Sequence, residues 1–402
     1  MSEWKKVKLG DCIDVLSGFA YKSKDFSDSG IPVIKIKNVC PPYISLEDLS
    51  YVPKSIAFQN PRYILKKGDV LIAMTGSHIN QIASVVGRVG RVRYDDTTVL
   101  NQRVGKIVNK NDSTSSLDYI YYYLSQYEVK VELAQKAGGA ANQANISPSD
   151  IKNLLFPCPP IEVQHRIATI LSRYDSLIEN YQKQIKLLEE AAQRLYKEWF
   201  VDLRFPGHEK TKIVDGVPEG WEKKTLVDFA NVIMGQSPKS EFYNNENNGL
   251  PFHQGVGSYG NRFVVDNTYS TSFTRIAEPN SVLFSVRAPV GRLNITKNKI
   301  VIGRGLAAMT HIDGYQSFLF YLLKERFFKD NIIGNGAIFA SITKDELLNL
   351  EFLVPSHDLI RRFNSLAKNM DDEIMNADGQ IRLLTEARDR LLPKLMSGEI
   401  AV

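Results

Sequence analysis

The chain has 402 residues, enough for two domains of ordinary size that each bury a core. Its 43% hydrophobic and 24% charged content is typical of globular proteins, and no stretch approaches the roughly 20 uninterrupted apolar residues of a membrane span. With a polar N-terminus unlike a signal peptide, we expect a cytoplasmic protein without a membrane partner. A net charge of +5 is compatible with a polyanionic partner but does not require one.

The three cysteines Cys12, Cys40 and Cys158 lie far apart in the sequence. None forms a CxxC pair or has a histidine at metal-ligand spacing. We therefore expect reduced thiols, and neither a disulfide framework nor a metal site.

Residues 1–155 have the pattern of a mixed α/β domain. Short apolar runs bounded by Gly, Asn and Asp predict strands at 32–37, 69–74 and 104–108, and a helix is expected over 116–133. Polar, glycine-containing loops with arginine lie between them. Arg can donate two hydrogen bonds to guanine and Asn or Gln can pair with adenine, although such a loop can equally be a solvated turn. The candidate DNA-contacting residues of this half are Thr75, Ser77, His78, Asn80, Gln81, Arg88, Arg91, Arg93, Gln102, Arg103, Asn142 and Gln143.

Residues 156–203 predict a long helix that begins after a proline-containing segment. Its apolar residues follow a 4-3 spacing, which is typical of a coiled coil, and a helix of about 35–40 residues spans roughly 50–60 Å. An internal core helix is the alternative. The residues of this apolar seam are Ile167, Leu171, Tyr174, Ile178, Tyr181, Ile185, Leu188 and Leu195.

A linker rich in Gly, Pro and charge at 204–220 leads to a second mixed α/β domain at 221–355, with a strand expected at 281–286 and a helix at 315–328. Its candidate DNA-contacting residues are His253, Gln254, Ser258, Tyr259, Arg262, Arg287, Arg292 and Arg304. Residues 356–402 predict a second long helix, and only Arg388 departs from its seam. The apolar members of that seam include Met370, Ile374, Ile381, Leu384 and Leu391.

The chain is a tandem duplication. Residues 144–156 align without gaps on 340–352 at an offset of 196, and the match continues for about 50 residues, placing Asp175 on Asp371. The starts of the halves correspond as well, with Trp4 opposite Trp221, whereas the middles have diverged. We expect an α+β protein with a pseudo-two-fold internal repeat. In it, two mixed α/β domains are separated by two long antiparallel coiled-coil helices, one domain at each end of a rod.

No enzyme motif is present. The sequence lacks an Asp/Asn-Pro-Pro-Tyr/Phe motif for adenine methylation and a Walker A loop, and its Gly255–Gly260 segment is not followed by Lys-Ser/Thr. The (D/E)xK triplets at 150–152 and 222–224 have no convincing partner carboxylate. We therefore predict no catalytic and no metal-binding residue in this chain.

The helix entry at 144–164, the duplicated long helices, and the segments VRAPVG (286–291) and IGRGLA (302–307) resemble the specificity subunits of type I restriction–modification enzymes. Here Val163 separates Glu162 from Gln164, which are adjacent in many members of that family. The resemblance implies two target recognition domains, each binding one half of a split, asymmetric sequence in double-stranded DNA. It also implies that the helices bind two modification subunits, which use S-adenosylmethionine. Restriction subunits using ATP and Mg would join them, and this chain itself would hold no cofactor.

Three alternatives remain open at this point. The chain could be the specificity subunit of a related system with a fused nuclease–methylase, or a coiled-coil adaptor whose end domains bind proteins. A methylase or nuclease acting alone is disfavoured by the missing motifs.

Overall fold

The computed structural model describes residues 4–77, 85–138, 144–327 and 341–402. The chain divides into two compact units, the first comprising residues 1–180 and 380–402 and the second comprising residues 181–379. Each unit contains one mixed α/β domain together with segments of two long helices, α6 (Ile161–Tyr196) and α9 (His357–Ser397).

The α/β domain of the first unit is built on a six-stranded sheet of order β2-β12-β8-β10-β5-β4 and a four-stranded sheet of order β6-β3-β11-β7. Its strands are β1 (Lys6–Lys8), β2 (Ile13–Ser17), β3 (Ile31–Ile34), β4 (Val39–Cys40), β5 (Tyr43–Ile44), β6 (Ser50–Val52), β7 (Ile64–Leu65), β8 (Val70–Ala73), β9 (Thr75–Gly76), β10 (Val89–Arg91), β11 (Thr98–Leu100), β12 (Val104–Asn109), β13 (Ala144–Asn145) and β14 (Leu155–Pro157). Its short helices are α1 (Leu9–Cys12), α2 (Lys54–Ala57), α3 (Leu117–Leu124), α4 (Tyr127–Lys136) and α5 (Pro148–Lys152).

The α/β domain of the second unit has a four-stranded sheet of order β18-β26-β23-β24 and a five-stranded sheet of order β19-β21-β20-β25-β22. The strands of this unit are β15 (Ile213–Val214), β16 (Val217–Pro218), β17 (Glu222–Thr225), β18 (Ala230–Met234), β19 (Tyr243–Asn244), β20 (Leu250–His253), β21 (Tyr269–Ser270), β22 (Ile276–Ala277), β23 (Val282–Ser285), β24 (Leu293–Ile295), β25 (Ile300–Ile302), β26 (Leu306–His311) and β27 (Glu351–Val354). Its shorter helices are α7 (Gln316–Phe327) and α8 (Lys344–Leu348).

The diverged middles of the repeat share one topology. The strand order β2-β12-β8-β10 of the first unit recurs as β18-β26-β23-β24 in the second. Strand β11 pairs parallel with β3 and antiparallel with β7, and β25 pairs in the same way with β20 and β22. The two domains therefore differ in sequence but keep the same frame.

Two glycines that align in the repeat are required by the backbone. Gly30 has a φ of +136° and Gly249 a φ of +90°, a region that other residues rarely adopt. A Cβ at Gly30 would lie 2.3 Å from the Val52 carbonyl oxygen, and one at Gly249 would lie 2.1 Å from that of Ser270. Both positions therefore exclude any side chain.

Several elements differ from the sequence-based expectation for local reasons. The strand expected at 32–37 ends at Ile34, and a 3-10 turn follows at Ile36–Asn38, where the Lys35 amide donates to the Asn38 side chain at 3.0 Å. The helix expected over 116–133 is interrupted after α3, where the Ser125 hydroxyl donates to the Tyr121 carbonyl at 2.7 Å. The segment 204–220 contains the hairpin β15–β16, whose Asp215 and Gly216 both have positive φ.

The long helices are antiparallel, as expected. In the first unit, Ile167 and Leu171 near the start of α6 share a core with Leu395 near the end of α9. In the second unit, the Tyr196 ring at the end of α6 lies 5.6 Å from the Phe363 ring near the start of α9. The seam residues Ile167, Leu171, Ile178 and Ile374 are buried, and the half-buried ones are Tyr174, Tyr181, Ile185, Leu188, Leu195, Met370, Ile381, Leu384 and Leu391.

Candidate nucleic-acid interface

Three candidate DNA-contacting residues of the second unit meet in one cleft. Gln254 follows β20, Arg287 follows β23, and Arg304 lies in the turn between β25 and β26. All three side chains are exposed and line a cavity of about 250 Å³, which we call the recognition cleft. Neither arginine has a carboxylate partner in the described part of the chain. The cleft can therefore offer two guanidinium groups and an amide to a ligand such as the edge of a base pair.

Glycine brings the Arg304 turn against the end of β20. A Cβ at Gly303 would lie 2.9 Å from the Gln254 Cα, and a Cβ at Gly305 would lie 2.5 Å from the Gln254 carbonyl oxygen. The Gly305 amide donates to that same carbonyl at 3.1 Å. Both glycines are needed because the backbone itself fills the space that a side chain would occupy.

Strand register identifies the equivalent residues of the first unit. Leu100 pairs with Ile34 as Ile302 pairs with His253, and Val104 pairs with Ala73 as Leu306 pairs with Ser285. The positions of Gln254, Arg287 and Arg304 are therefore taken by Lys35, Thr75 and Gln102. The bridge between Thr75 and Asn145 also recurs, at the offset of 196, between Arg287 and Ser341.

The first unit thus presents different side chains in the same frame. Gln102 and its neighbour Arg103 are exposed, Ser77 is half-buried and Thr75 is buried. The sequence did not indicate Lys35, because it lies in an apparent strand. Its ammonium group donates to the Ser50 hydroxyl at 2.8 Å and lies 4.1 Å from the Phe26 ring centroid, and burial lowers the pKa of Lys35.

A further pair of glycines, also missed from the sequence, lies against the turn that carries Gln102 in the first unit and Arg304 in the second. The Gly18 amide donates to the Val104 carbonyl at 3.1 Å, and the Gly235 amide donates to the Leu306 carbonyl at 2.9 Å. A Cβ at Gly18 would lie 2.2 Å from the Asn101 carbonyl oxygen, and one at Gly235 would lie 2.1 Å from that of Gly303. The available signal was their common position, seven residues after the aligned Asp11 and Asp228.

His253 and Ser258 have a structural role in place of the predicted DNA contact. The imidazole of His253 is fully buried, with Nδ1 2.8 Å from the Ser258 hydroxyl and Nε2 3.0 Å from Asp266 Oδ1. These contacts fix the loop that follows β20. Tyr259 in this loop is half-buried, and burial raises the pKa of its hydroxyl. We therefore remove His253 and Ser258 from the candidate set.

Three predicted arginines form ion pairs within the fold. Arg91 has Nη2 2.8 Å from Asp118 Oδ1, and its guanidinium lies 4.4 Å from the Tyr121 ring centroid. Arg93 has Nη1 3.3 Å from Glu179 Oε2. The Arg262 side chain is only 3% exposed and contacts Asp371. Burial of its side chain removes Arg262 from the candidate set, whereas a DNA contact of Arg91 or Arg93 stays a prediction.

The aligned aspartates are the centres of two buried clusters. Asp175 in α6 is 1% exposed, accepts a 2.6 Å hydrogen bond from the Tyr122 hydroxyl and lies 2.8 Å from Arg388 Nη1. Burial and the nearby Asp175 raise the pKa of Tyr122. Although burial alone would lower the pKa of Arg388, its hydrogen bonds to Asp175 and Asp389 raise it. Arg388, the residue that departs from the apolar seam, therefore neutralises a buried carboxylate.

Asp371 in α9 also has a tyrosine partner, but its positive partner comes from a different element. It accepts a 2.9 Å hydrogen bond from the Tyr321 hydroxyl and forms an ion pair with Arg262. Arg262 Nη1 also lies 3.4 Å from Glu189 Oε1. Burial opposes the charged form of Arg262, but Asp371, Tyr321 and Glu189 raise its pKa. Each aspartate thus anchors an α/β domain to a long helix through a tyrosine hydroxyl.

The remaining candidates divide into two groups. Arg88 is half-buried and Arg292 is exposed, and each lines a cavity of its own unit. His78, Asn80, Gln81, Asn142 and Gln143 lie outside the described residues. Within the described ranges, no cluster of three or more His, Cys, Asp or Glu side chains is placed to hold a metal ion. In the same ranges, no helix combines the length and the apolar character needed to cross a bilayer.

Comparison with known proteins agrees with this architecture. A family model described as the type I restriction modification DNA specificity domain matches residues 1–190 and 218–358. The MjaX type I restriction enzyme specificity subunit of Methanocaldococcus jannaschii is 30% identical over all of this chain and 94% of its own length. The HindI specificity subunit of Haemophilus influenzae is 23% identical over the full length of both chains.

The fold is also found in a solved structure. The type I restriction–modification S subunit of M. genitalium superposes with a TM-score of 0.61 at 19% identity, covering 98% of this chain and 96% of the other. On the family match and the full-length relatives, the chain belongs to the DNA specificity proteins of type I restriction–modification systems, which recognise DNA and do not themselves catalyse.

Proposed function

We propose that each α/β domain recognises one half of a split, asymmetric DNA sequence. The proposal rests on one observation: the two domains share a strand topology but carry different side chains at equivalent positions. Gln254, Arg287 and Arg304 in the second unit replace Lys35, Thr75 and Gln102 in the first. Hydrogen-bonding side chains determine which base edges a protein accepts, so different side chains in one frame select different sequences.

In this proposal the duplicated helices serve the partners. Two copies of one helix offer two equivalent docking faces, and we propose that they bind two modification subunits. S-adenosylmethionine would bind to those subunits, and ATP and Mg to the restriction subunits. The assembly would act in the cytoplasm, where it meets both chromosomal and incoming DNA.

The test uses the full chain assembled with its modification subunits. Arg304→Gln removes a guanidinium of the recognition cleft, and Gln102→Ala removes the amide at the equivalent position of the first unit. Each is a control for the other, because both change one exposed side chain at equivalent positions of the repeat. Binding selections from a randomised duplex pool, together with sequencing of methylated adenines in cells, report both halves of the recognised sequence.

We expect Arg304→Gln to relax the preference at one or two adjacent base pairs in one half only. One good bidentate contact discriminates by about 1–3 kcal/mol, which is roughly 5–150-fold in relative affinity. Gln102→Ala should act on the other half. If either variant changed both halves, or if the assembled wild-type chain selected no sequence, the proposal of two independent recognition domains would fail.

A further inference from the structure

The three equivalent pairs of cleft positions differ in how they present their side chains. Thr75 is buried, although its counterpart Arg287 is exposed. Lys35 is half-buried, and its ammonium group donates to a serine hydroxyl at 2.8 Å. Gln102 and Arg304, in contrast, are both exposed, and neither side chain has a hydrogen-bond or ion-pair partner within the described ranges. Of the three pairs, this is the one whose side chains are exposed in both units.

The turns that carry Gln102 and Arg304 begin with the same backbone contact. In the first unit the Asn101 amide donates to the Ile34 carbonyl at 3.1 Å, and in the second unit the Gly303 amide donates to the His253 carbonyl at 2.8 Å. Strand register makes the two accepting residues equivalent. The residue just before each cleft position is therefore held at the same place on its sheet.

The two turns also end with the same backbone contact. The Met74 amide donates to the Arg103 carbonyl at 3.0 Å, and the Val286 amide donates to the Gly305 carbonyl at 3.0 Å. A turn that is held on both sides fixes the Cα of the residue in its centre. The central side chains of the two turns therefore begin at equivalent points of the shared frame, and each begins on a rigid backbone.

The functional group of the central side chain is what differs between the turns. Gln102 ends in an amide, which both donates and accepts hydrogen bonds, whereas Arg304 ends in a guanidinium, which only donates. In the major groove, adenine offers an acceptor at N7 and a donor at its N6 amino group, and these match an amide. Guanine offers two acceptors, N7 and O6, and these match a guanidinium. The two turns therefore select different bases by the same geometry.

The flanking positions of the turns do not have this property. Arg103 is exposed, but its counterpart Gly305 has no side chain, and the same holds for Asn101 and its counterpart Gly303. A Cβ at Gly305 would lie 2.5 Å from the Gln254 carbonyl oxygen, so the second unit excludes a side chain there. A side-chain contact that both turns make must therefore come from the central residue.

We propose that Gln102 and Arg304 are equivalent base-reading residues, Gln102 for an adenine in one half of the recognised sequence and Arg304 for a guanine in the other. Each side chain makes two hydrogen bonds to the major-groove edge of its base. This inference rests on the proposed function, and it names the base that each domain selects at this turn. It also makes the two residues exchangeable, since the backbone around them is the same.

The experiment exchanges the two residues in the full chain assembled with its modification subunits. Gln102→Arg should convert one A·T pair to G·C in the half recognised by the first unit. Arg304→Gln should convert one G·C pair to A·T in the half recognised by the second unit. The new base should be preferred by roughly 5–150-fold. Selection from a randomised duplex pool and sequencing of methylated adenines in cells report both conversions.

The matched controls make the same exchanges outside the two turns. Gln59→Arg and Arg326→Gln change exposed residues of the first and second units, and neither should convert a base pair. The melting temperature of all four variants should equal that of the wild type, because every exchanged side chain is exposed. This measurement shows that a converted base does not come from a disturbed fold.

A modified base tests the contact with guanine directly. An analogue of guanine that carries carbon in place of N7 lacks one of the two acceptors that Arg304 binds. At the assigned base pair it should weaken binding by the wild-type complex, and it should have a much smaller effect on the Arg304→Gln variant. An equal effect on both would show that another group reads this base.

Three further results would overturn the inference. The first is a selection in which either exchanged variant retains the wild-type base pairs. The second is an equal loss of affinity for all duplexes together with a weaker salt dependence, which would assign the side chain to a phosphate. The third is a conversion by either control variant. If the wild-type complex still selects a split sequence in these cases, the proposed function stands; if it selects none, both the proposed function and the inference fail.

Discussion

Asp175 and Asp371 each accept a hydrogen bond from a tyrosine hydroxyl, but they receive their positive charge from different elements. In the first unit, Asp175 of α6 pairs with Arg388 of α9, so the ion pair joins one long helix to the other. In the second unit, Asp371 of α9 pairs with Arg262, which belongs to the α/β domain. By the offset of 196, the residue that corresponds to Arg388 is Ala192, which has no charge to offer.

The comparison shows that both halves of the repeat keep a positive partner for this aspartate, although different residues supply it. A carboxylate that is almost fully buried needs a positive partner, because its desolvation is costly without one. Ala192 stands at the position equivalent to Arg388, and the second unit takes the charge from another element, through Arg262. Arg262 of the second α/β domain therefore contacts the aspartate itself, whereas in the first unit Arg93 pairs with Glu179 of α6 at 3.3 Å and lies 4.0 Å from Asp175 Oδ2.

The largest predicted effect comes from removing these cations. Arg388→Met leaves the buried Asp175 without its main partner, which costs about 3–5 kcal/mol of unfolding free energy. Arg262→Met does the same to the half-buried Asp371, so its cost should be at the lower end of that range. The consequences should differ in place. Arg388→Met should accelerate amide hydrogen exchange in α6 and α9 of the first unit, whereas Arg262→Met should accelerate exchange in the second α/β domain. Denaturant unfolding and exchange measured by mass spectrometry on the full chain check both.

The control for this prediction removes the charge on both sides. The double variant Asp175→Asn/Arg388→Met should recover most of the stability lost by Arg388→Met, and Asp371→Asn/Arg262→Met should do so in the second unit, because no unpaired buried charge is left. A double variant as unstable as the single arginine variant would show that packing, and not charge, explains the loss.

A smaller effect, equal in the two units, is predicted for the cleft glycines. Gly18→Ala places a Cβ 2.2 Å from the Asn101 carbonyl oxygen, and Gly235→Ala places one 2.1 Å from that of Gly303, so the backbone must shift in both. We expect a loss of about 1–3 kcal/mol in each. The matched control is Gly255→Ala, because a Cβ at Gly255 would meet open space and the backbone there is extended. Gly68 also has open space, but its positive φ would add strain of its own to Gly68→Ala. Thermal unfolding of the full chain distinguishes them, and a tolerated Gly235→Ala would contradict the close approach.

The smallest effect is predicted for the N-caps of the short helices α5 and α8. Ser147 and Thr343 are equivalent residues, and each accepts a hydrogen bond from the amide three residues later, in capping boxes with Asp150 and Glu346. Ser147→Ala and Thr343→Ala should each cost about 1 kcal/mol. Thr343→Ser retains the hydroxyl and should cost little. A much larger loss at one cap, measured by denaturant unfolding, would show that the equivalence does not extend to this element.

The long helices could be predicted because their information is local. A 4-3 spacing of apolar residues places them on one face of a helix whatever the rest of the chain does. The spacing also exposed the one misfit, Arg388. What it could not show is that the misfit has a partner in Asp175, because that contact joins residues 213 positions apart.

The candidate DNA-contacting residues could be predicted only in part. Polar loops with glycine and arginine located the cleft residues Gln254, Arg287 and Arg304. The same pattern also selected Arg262 and His253, because a sequence does not distinguish an exposed cation or imidazole from one whose partner comes from another element. Lys35 was overlooked for the opposite reason, since an alternating apolar run concealed that the strand ends at Ile34.

The antiparallel ribbons at the base of each recognition domain have a consequence for how such proteins change. Strand β1 pairs with β14, placing Val7 opposite Phe156, and β17 pairs with β27, placing Lys224 opposite Phe352. The chain therefore enters and leaves each domain side by side. A genetic exchange of everything between the two strands of a ribbon would replace one α/β domain and leave the long helices unchanged. A single recombination event would then change the DNA sequence that the cell's system recognises.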